Sequence, residues 1–355
     1  MVLQEIQYLR TWTPFRVDAL GLVTILGAAE VDRAAGRLTR SWLTDYLPLL
    51  GAYTVSSNSV TSPIPGLTLY NVTDGIMATD VTGWFGRWLL CHDLMYSAST
   101  VRISILPERT RRHKPTRQII GRLCSLAIGF LSLLSIIILT ALIDDWWGFT
   151  NALSMFISVF VRRVVFSANI RAITAATGHQ DPSRPEDEME VKVFLTLPTG
   201  HSVTIFAPRS VVVNCLVTNP RPASRRMYDA ARAVGWVAFG IHIIALGMAS
   251  LLAQILSAGL MLAATVATVR RLGCSSWEEC RVGESLLLER FDAPQDQDFR
   301  MAAYARLRLT TEEEGSMLLW SLMPHRSNND WWVRYYKFIE ENYAGALNEK
   351  MENKI

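Results

Sequence analysis

The chain has 355 residues, of which 50% are hydrophobic and only 19% are charged, and its formal net charge is +3. Soluble domains carry about a quarter charged residues, and here the charges lie between long uncharged runs, which excludes an ordinary soluble protein and indicates a membrane protein. The basic residues stand beside the apolar runs, so they are typical of topology signals and exclude nucleic acid as a partner.

Residues 1–117 contain no uncharged apolar run of membrane length and are predicted to form an N-terminal non-membrane region. The apolar run 19–29 has acidic residues on both sides, so we expect a short buried helix there instead of a signal peptide. The apolar patch 42–55 fits either a small helical domain or segments lying on the membrane surface. A further span in this region stays an open alternative.

The first long apolar run covers residues 123–143, which carry no charge. At 1.5 Å per residue a helix of this length reaches roughly 30 Å, the thickness of the hydrocarbon core. Arginines and a lysine crowd residues 109–122 before the run, whereas Asp144 and Asp145 follow it. The positive-inside rule therefore places the start of this helix in the cytosol.

A second uncharged run, 146–161, ends at Arg162 and Arg163. It is slightly short for a bilayer, so both arginines are expected to snorkel toward water while the helix continues. Residues 118–171 are thus predicted to form a transmembrane hairpin with an acidic tip and basic feet.

Residues 172–232 are polar and are predicted to form a cytosolic, β-rich insert. Apolar and polar residues alternate over 191–197, a turn follows at 198–201, and the alternation resumes over 203–213. This pattern favours a small antiparallel sheet of two or three strands.

The uncharged run 233–269 is almost twice as long as one bilayer crossing requires. Basic residues stand at both of its ends, which favours a second transmembrane hairpin over 233–271 with a turn near 248–254. One long oblique helix is the alternative. The fold class predicted is a mainly α membrane protein with about four transmembrane helices in two hairpins.

Residues 272–355 are predicted to form a cytosolic, helical C-terminal region. Thr311 and Glu314 resemble a capping box at the start of one helix. Aromatic and apolar residues then form a stripe over 331–343, which fits packing on the preceding helix better than binding to the membrane interface.

Motifs for catalysis are missing from the sequence: it contains no phosphate loop, no zinc-protease motif, no serine-hydrolase elbow and no dinucleotide fingerprint. No cofactor and no metal site are expected. The five cysteines are scattered and odd in number, so they predict no disulfide framework. Cys274 follows two arginines at a membrane boundary and is a candidate for lipidation, with a free thiol as the simpler interpretation.

Three positions are weak candidates for chemistry. Asp144 and Asp145 lie beside two tryptophans, a set that could protonate an olefin or epoxide, but the acidic, aromatic tip of a hairpin is by far the favoured interpretation. His242 is the one ionisable residue deep in an apolar run, and a hydrogen bond to a neighbouring helix is favoured over proton transfer as its explanation. Asn151 and Gln254 are interpreted first as interhelical hydrogen-bonding residues.

Asn71 begins the only N-glycosylation sequon, Asn-Val-Thr. The predicted topology places it in the cytosol, so we expect it to stay unmodified. A membrane span before residue 123 would reverse that expectation.

Several segments resemble a family of multi-pass membrane proteins of filamentous fungi, some of them encoded in secondary-metabolite clusters. The layout is similar to that of the membrane protein of paxilline-type indole-diterpene clusters. The resemblance covers about residues 100–335 and includes no catalytic motif. It rests on these segments: DDWWGFTNALSMFISVFVRR, VKVFLTLPTGHSVTIFAPRSVVVNCLVTNPRP, GWVAFGIHIIALGM and RMAAYARLRLTTEEEGSMLLWSLMPHRSNNDWW.

The resemblance implies a membrane protein of the endoplasmic reticulum that supports the synthesis of a lipophilic terpenoid. Three functions remain open: an accessory protein that organises membrane-bound biosynthetic enzymes or intermediates, an integral-membrane terpenoid cyclase, and a metabolite transporter. The missing motifs favour the accessory role. A transporter is disfavoured because the runs hold few polar residues and no evident broken helix.

Overall fold

The structure is a computed structural model, and it describes residues 11, 13, 28–91, 98–107, 116–178, 188–274, 279–283, 285–291 and 299–343. Most of the apolar run 19–29, the basic residues of 109–115 and the end of the C-terminal region, 344–355, lie outside the described residues.

The helices of the described ranges are α1 (Ala28–Gly36), α2 (Tyr53–Ser56), α3 (Gly83–Cys91), α4 (Thr116–Leu142), α5 (Trp146–Gly178), α6 (Arg225–Met248), α7 (Leu251–Val269), α8 (Arg300–Leu307), α9 (Thr311–Leu319) and α10 (Asn329–Tyr343). A short 3₁₀-helix covers Ser59–Thr61, and a helical turn, Arg209–Val211, continues as a π-helix over Val212–Val217.

Helices α4 to α7 are long and apolar enough to cross a membrane, which confirms the prediction of four such helices. The uncharged run 233–269 forms two helices, because Ala249 and Ser250 break it inside the predicted turn. Ser250 caps the second helix by accepting a hydrogen bond from the Ala253 amide at 3.4 Å. The four helices form a bundle in which α5 contacts each of the other three.

The strands are β1 (Thr68–Asn71), β2 (Ile76–Ala78), β3 (Ala98–Ile105), β4 (Glu190–Thr196), β5 (Ser202–Pro208), β6 (Glu279–Val282) and β7 (Leu286–Phe291). They form one seven-stranded sheet in the order β2-β1-β4-β5-β3-β7-β6. The pairing of β3 with β5 is parallel and the other pairings are antiparallel.

This sheet corrects the expectation of a small sheet confined to residues 172–232. Only β4 and β5 come from that insert, whereas three strands precede the bundle and two follow it. The alternation after Pro208 also misled, because Val211 and Val213 lie in helical turns instead of a third strand. The two strands of the insert therefore pair with strands from before and after the bundle in the chain, and together these strands form the larger sheet.

The two faces of the sheet are covered by different helices. Val193 and Ile205 belong to a core with α3 and with Ile170 and Ile173 of α5. Since α5 has 33 residues, it is roughly 50 Å long at 1.5 Å per residue. One continuous helix therefore joins the bundle to the core of the sheet.

The C-terminal helices cover the opposite face. Phe194 of β4 packs in a second core with Tyr304, Trp332 and Tyr335, so the interpretation of the aromatic stripe as a packing surface is confirmed. The capping box is present one residue earlier than predicted, with Thr310 as the N-cap and Glu313 as its partner.

Candidate functional site

A stretch of the N-terminal region lies between the apolar helices of the bundle. We call residues 46–56 the inserted segment. Its Leu50 is 1% exposed and packs in a core with residues of all four apolar helices, among them Leu133, Met155, Leu246 and Met261. The Leu50 amide donates a hydrogen bond to the Thr265 hydroxyl at 3.0 Å.

The inserted segment reaches the middle of the bundle. Met155 of α5 and Leu133 of α4 each lie roughly 14 Å, at 1.5 Å per residue, from the end of the helix at the Asp144–Asp145 turn. At Gly129 a Cβ atom would overlap the carbonyl group of Tyr46, so glycine permits the close approach there. Irregular backbone at such a depth occurs where protein or a cavity surrounds it.

Arg162 holds this segment. It is 7% exposed, and its Nη2 donates hydrogen bonds to the carbonyl oxygens of Leu47 at 2.7 Å, Asp45 at 2.8 Å and Thr44 at 3.4 Å. Snorkelling was therefore the wrong expectation for Arg162, which turns inward to bind backbone. In the described part of the chain, its Nε and Nη1 have no hydrogen-bond partner.

Positive charge exceeds negative charge around Arg162. The charged side chains that act on it are those of Asp45 and Arg163. Asp45 is already bound, because its carboxylate pairs with Arg163 at 2.9 Å and accepts a hydrogen bond from the Ser41 amide at 3.0 Å. The Asp45 carboxylate is thus paired with Arg163, and Arg162 contacts only the backbone carbonyl of Asp45.

A cavity of about 30 Å³ lies between the inserted segment, α5, α6 and α7. Its polar lining includes Arg162, Ser158 and His242, and its walls include Leu49 and Met261. His242 is 6% exposed, and in the described residues neither ring nitrogen has a hydrogen-bond partner. The hydrogen bond to a neighbouring helix that the sequence favoured for His242 is thus not seen.

Asp144 and Asp145 differ in environment. Asp145 is 6% exposed; its Oδ1 accepts from the Gly148 amide at 2.9 Å and its Oδ2 from the Ser250 amide at 2.8 Å. Asp145 therefore caps α5 and ties the first hairpin to the turn of the second. Asp144 is exposed and has a left-handed φ of 60°.

Asn151 makes the contact expected of it, since its Nδ2 donates to the Ser257 hydroxyl on α7 at 2.9 Å. Asn151 thus joins two helices, whereas the Gln254 Nε2 donates to the Ala249 carbonyl at 3.0 Å, in the turn before its own helix. His242 lines the cavity instead.

Asn71 is 3% exposed, at the end of β1. Its Nδ2 donates to the Asp74 carboxylate at 2.7 Å, and its Oδ1 accepts from the Asp74 amide at 3.2 Å. The acceptor nitrogen of the sequon is thus engaged in the turn between β1 and β2.

Cys274 is half-buried, and its Sγ accepts a hydrogen bond from Arg37 Nη2 at 3.1 Å. Burial raises the pKa of the Cys274 thiol, and the positive charge of Arg37 opposes that shift. Lipidation of Cys274 stays a prediction. Its sulfur faces Arg37, so an acylating enzyme would need this contact to open.

The sequence singled out His242 but not Arg162, the inserted segment or Asp45. One signal was present: no charged residue occurs between Asp45 and Asp74. Within the described residues no group of three or more His, Cys, Asp or Glu side chains has the arrangement of a metal site. The grouping that stands out is the cavity with its unbalanced arginine and its histidine.

Comparison with known proteins finds no matching family, no similar curated protein and no similar solved structure.

Proposed function

We propose that the chain is a multi-pass membrane protein in which α4 to α7 span the bilayer and the sheet and both termini face the cytosol. The support is the placement of charge: Arg225 and Arg226 begin α6, and Arg270 and Arg271 follow α7, at the ends that connect along the chain to β5 and β6. Cytosolic flanks are enriched in arginine and lysine.

A glycosylation tag inserted at Gly200 tests this topology. Gly200 lies in the turn between β4 and β5 with a φ of 86° and no atom within 4 Å of an added Cβ, so the turn tolerates an insertion. The tag is expected to stay unmodified in microsomes. Its modification would place the sheet in the lumen and overturn the proposal.

Within this topology we propose an accessory role at the endoplasmic reticulum: holding membrane-bound biosynthetic enzymes, or their lipophilic intermediates, at the membrane surface. The observation that carries the proposal is α5, which runs unbroken from the bundle into the sheet core and fixes the sheet close to the bilayer. The resemblance to membrane proteins of fungal secondary-metabolite clusters supplies the context, a terpenoid of the indole-diterpene type.

The alternative of a terpenoid cyclase requires a carboxyl group that can deliver a proton. Both carboxylate oxygens of Asp145 accept backbone hydrogen bonds, which supports a structural role for that residue. Asp144 is exposed in a turn and lines no described cavity.

Metabolite profiling of a deletion strain separates these roles. Loss of an accessory protein lowers all later products together, and re-expression of the full chain restores them. Accumulation of one uncyclised precursor would instead support the cyclase, and its presence at high level would end the accessory proposal.

A transporter is the second candidate, and the inserted segment favours it. Broken segments and polar groups near the middle of a bundle are typical of transporter binding sites, and the inserted segment with Arg162 and His242 provides both. In the same deletion strain a transporter predicts that total product is normal but retained inside the cells.

A further inference from the structure

We propose that the cavity beside Arg162 and His242 binds one small monovalent anion, such as chloride or a short carboxylate. This inference concerns a ligand of the bundle and does not depend on the accessory role. It rests on the charge, the free donors and the size of the cavity.

The charge comes first. Arg162 keeps its positive charge under all ordinary conditions, and among the described residues the carboxylate that acts on it, that of Asp45, is bound to Arg163. A buried charge is costly unless it is paired and hydrogen-bonded. A bound anion supplies the missing negative charge among Arg162, Arg163 and Asp45.

The donors come next. The three hydrogen bonds of Arg162 to the carbonyl oxygens of Thr44, Asp45 and Leu47 all use Nη2, so Nε and Nη1 are free of described protein partners. Neutral histidine has one N–H donor and one acceptor nitrogen, and both nitrogens of His242 lack a partner in the described residues. His242 thus contributes one unused N–H donor to the lining of the cavity.

The size selects the class of ligand. A cavity of about 30 Å³ has room for about two water molecules, so it admits chloride or acetate. Gluconate and the head group of a phospholipid are too large. The apolar walls formed by Leu49, Val159 and Met261 favour a weakly hydrated monovalent anion over sulfate.

The test is binding of radioactive chloride to the purified full-length chain in detergent, measured by scintillation proximity. We expect saturable binding of about one chloride per chain, displaced by unlabelled chloride. Acetate displaces it if short carboxylates share the site, and a chloride-selective site resists acetate; both results support the proposal. Displacement by gluconate at the same concentration as chloride would show an open surface site and overturn the proposal.

Three variants locate the site. His242→Leu keeps the side-chain volume similar and removes both nitrogens, and Arg162→Gln removes the charge; each is expected to weaken chloride binding at least tenfold. Arg270→Gln is the control at the exposed end of α7 and should bind as the wild type does. Because Arg162→Gln also alters the hold on the inserted segment, His242→Leu decides: unchanged binding in a folded His242→Leu protein, or no saturable binding to the wild type, contradicts the proposal.

Discussion

Buried charged side chains have different partners in the bundle and beside the sheet. In the C-terminal cover of the sheet, Glu313 and Glu314 are 7% and 5% exposed, and each carboxylate meets a cation: Glu313 pairs with Lys192 at 2.8 Å and Glu314 with Arg326 at 2.6 Å. In the bundle the buried Arg162 bonds, among the described residues, to carbonyl groups alone, and the nearby Asp45 carboxylate pairs with Arg163.

The difference is between buried charges that are paired within the protein and a buried charge that has no carboxylate of its own among the described residues. The pairs beneath the sheet are complete, since Glu314 also accepts from the Tyr336 hydroxyl at 3.0 Å and Arg326 stacks 3.8 Å from the Trp332 ring. Such pairs orient helices and need no ligand. The group in the bundle lies beside a cavity, the kind of place where ligands bind in proteins, and it is there that we propose an anion.

Replacing Arg162 is expected to have the largest effect on stability. Arg162→Leu leaves the carbonyls of residues 44, 45 and 47 without their donor, and each hydrogen bond to a charged group contributes about 1.5–3 kcal/mol. We expect a sharp fall in the melting temperature measured by fluorescence-detected size exclusion. Arg270→Leu, at an exposed position, is the control. Equal melting temperatures of the two variants would contradict the role of Arg162 in stabilising the inserted segment.

The matched change beneath the sheet should be smaller. Glu314→Ala removes one carboxylate that binds Arg326 and Tyr336, and hydrogen bonds to charged groups contribute about 1.5–3 kcal/mol. Arg326 is 42% exposed at its side chain, so water replaces part of the loss. A Glu314→Ala protein less stable than Arg162→Leu would reverse the ranking of the two regions.

The third prediction concerns the stability of the sheet core at alkaline pH, where Cys215 is buried. Burial raises the pKa of Cys215 from 9.0 to about 12, so the folded state keeps a proton that the unfolded chain loses. The stability from this group is fully present below pH 9 and is lost as pH rises toward 12. The melting-temperature advantage of wild type over Cys215→Ala should therefore shrink between pH 8 and pH 11; a constant gap would contradict the assigned burial.

Sequence reasoning identified the helices of the bundle but not the whole sheet, for a physical reason. Each apolar helix satisfies its backbone locally, so hydropathy alone reveals it. The sheet depends on pairings between distant segments, such as β1 with β4 and β3 with β7, which a local pattern of alternation does not encode. Val211 and Val213 show that alternation alone does not identify a strand, because the apolar alternation continues there while the backbone is helical.

The candidate site was predictable only in part. A lone histidine in an apolar run is visible in the sequence, and His242 was singled out for that reason. Arg162 was assigned to the membrane boundary because it ends an uncharged run. Its role in the bundle was missed, since its partners are backbone carbonyls, which have no sequence signature. The role of Asp145 was foreseen in kind, as a residue of a hairpin tip, but its bond to Ser250 joins two hairpins that are distant in sequence.

That bond gives a fourth, smaller prediction. Asp145→Asn keeps an oxygen that caps α5, since asparagine is a good N-cap, but its amide group repels the Ser250 N–H. We expect a loss of about 1 kcal/mol, seen as a slightly lower melting temperature with normal membrane insertion and near-normal product. Asp144→Asn should match the wild type. Product loss in either variant at normal protein level would favour the cyclase alternative.

The smallest effect is expected at Asn71. Asn71→Gln should leave gel mobility unchanged, because the proposed topology keeps residues 1–117 away from the glycosylation machinery. The amide is also 3% exposed and bound to Asp74, so the folded turn shields it. Glycosidase treatment of the wild type is the control and should shift no band. A mobility gain in Asn71→Gln matching one lost glycan would mean that β1 had passed through the lumen, and the sheet with it, since β1 pairs with β4 along four residues. In that event the arginines at the ends of α6 and α7 would lie on the non-cytosolic side, against the charge rule that supports the topology.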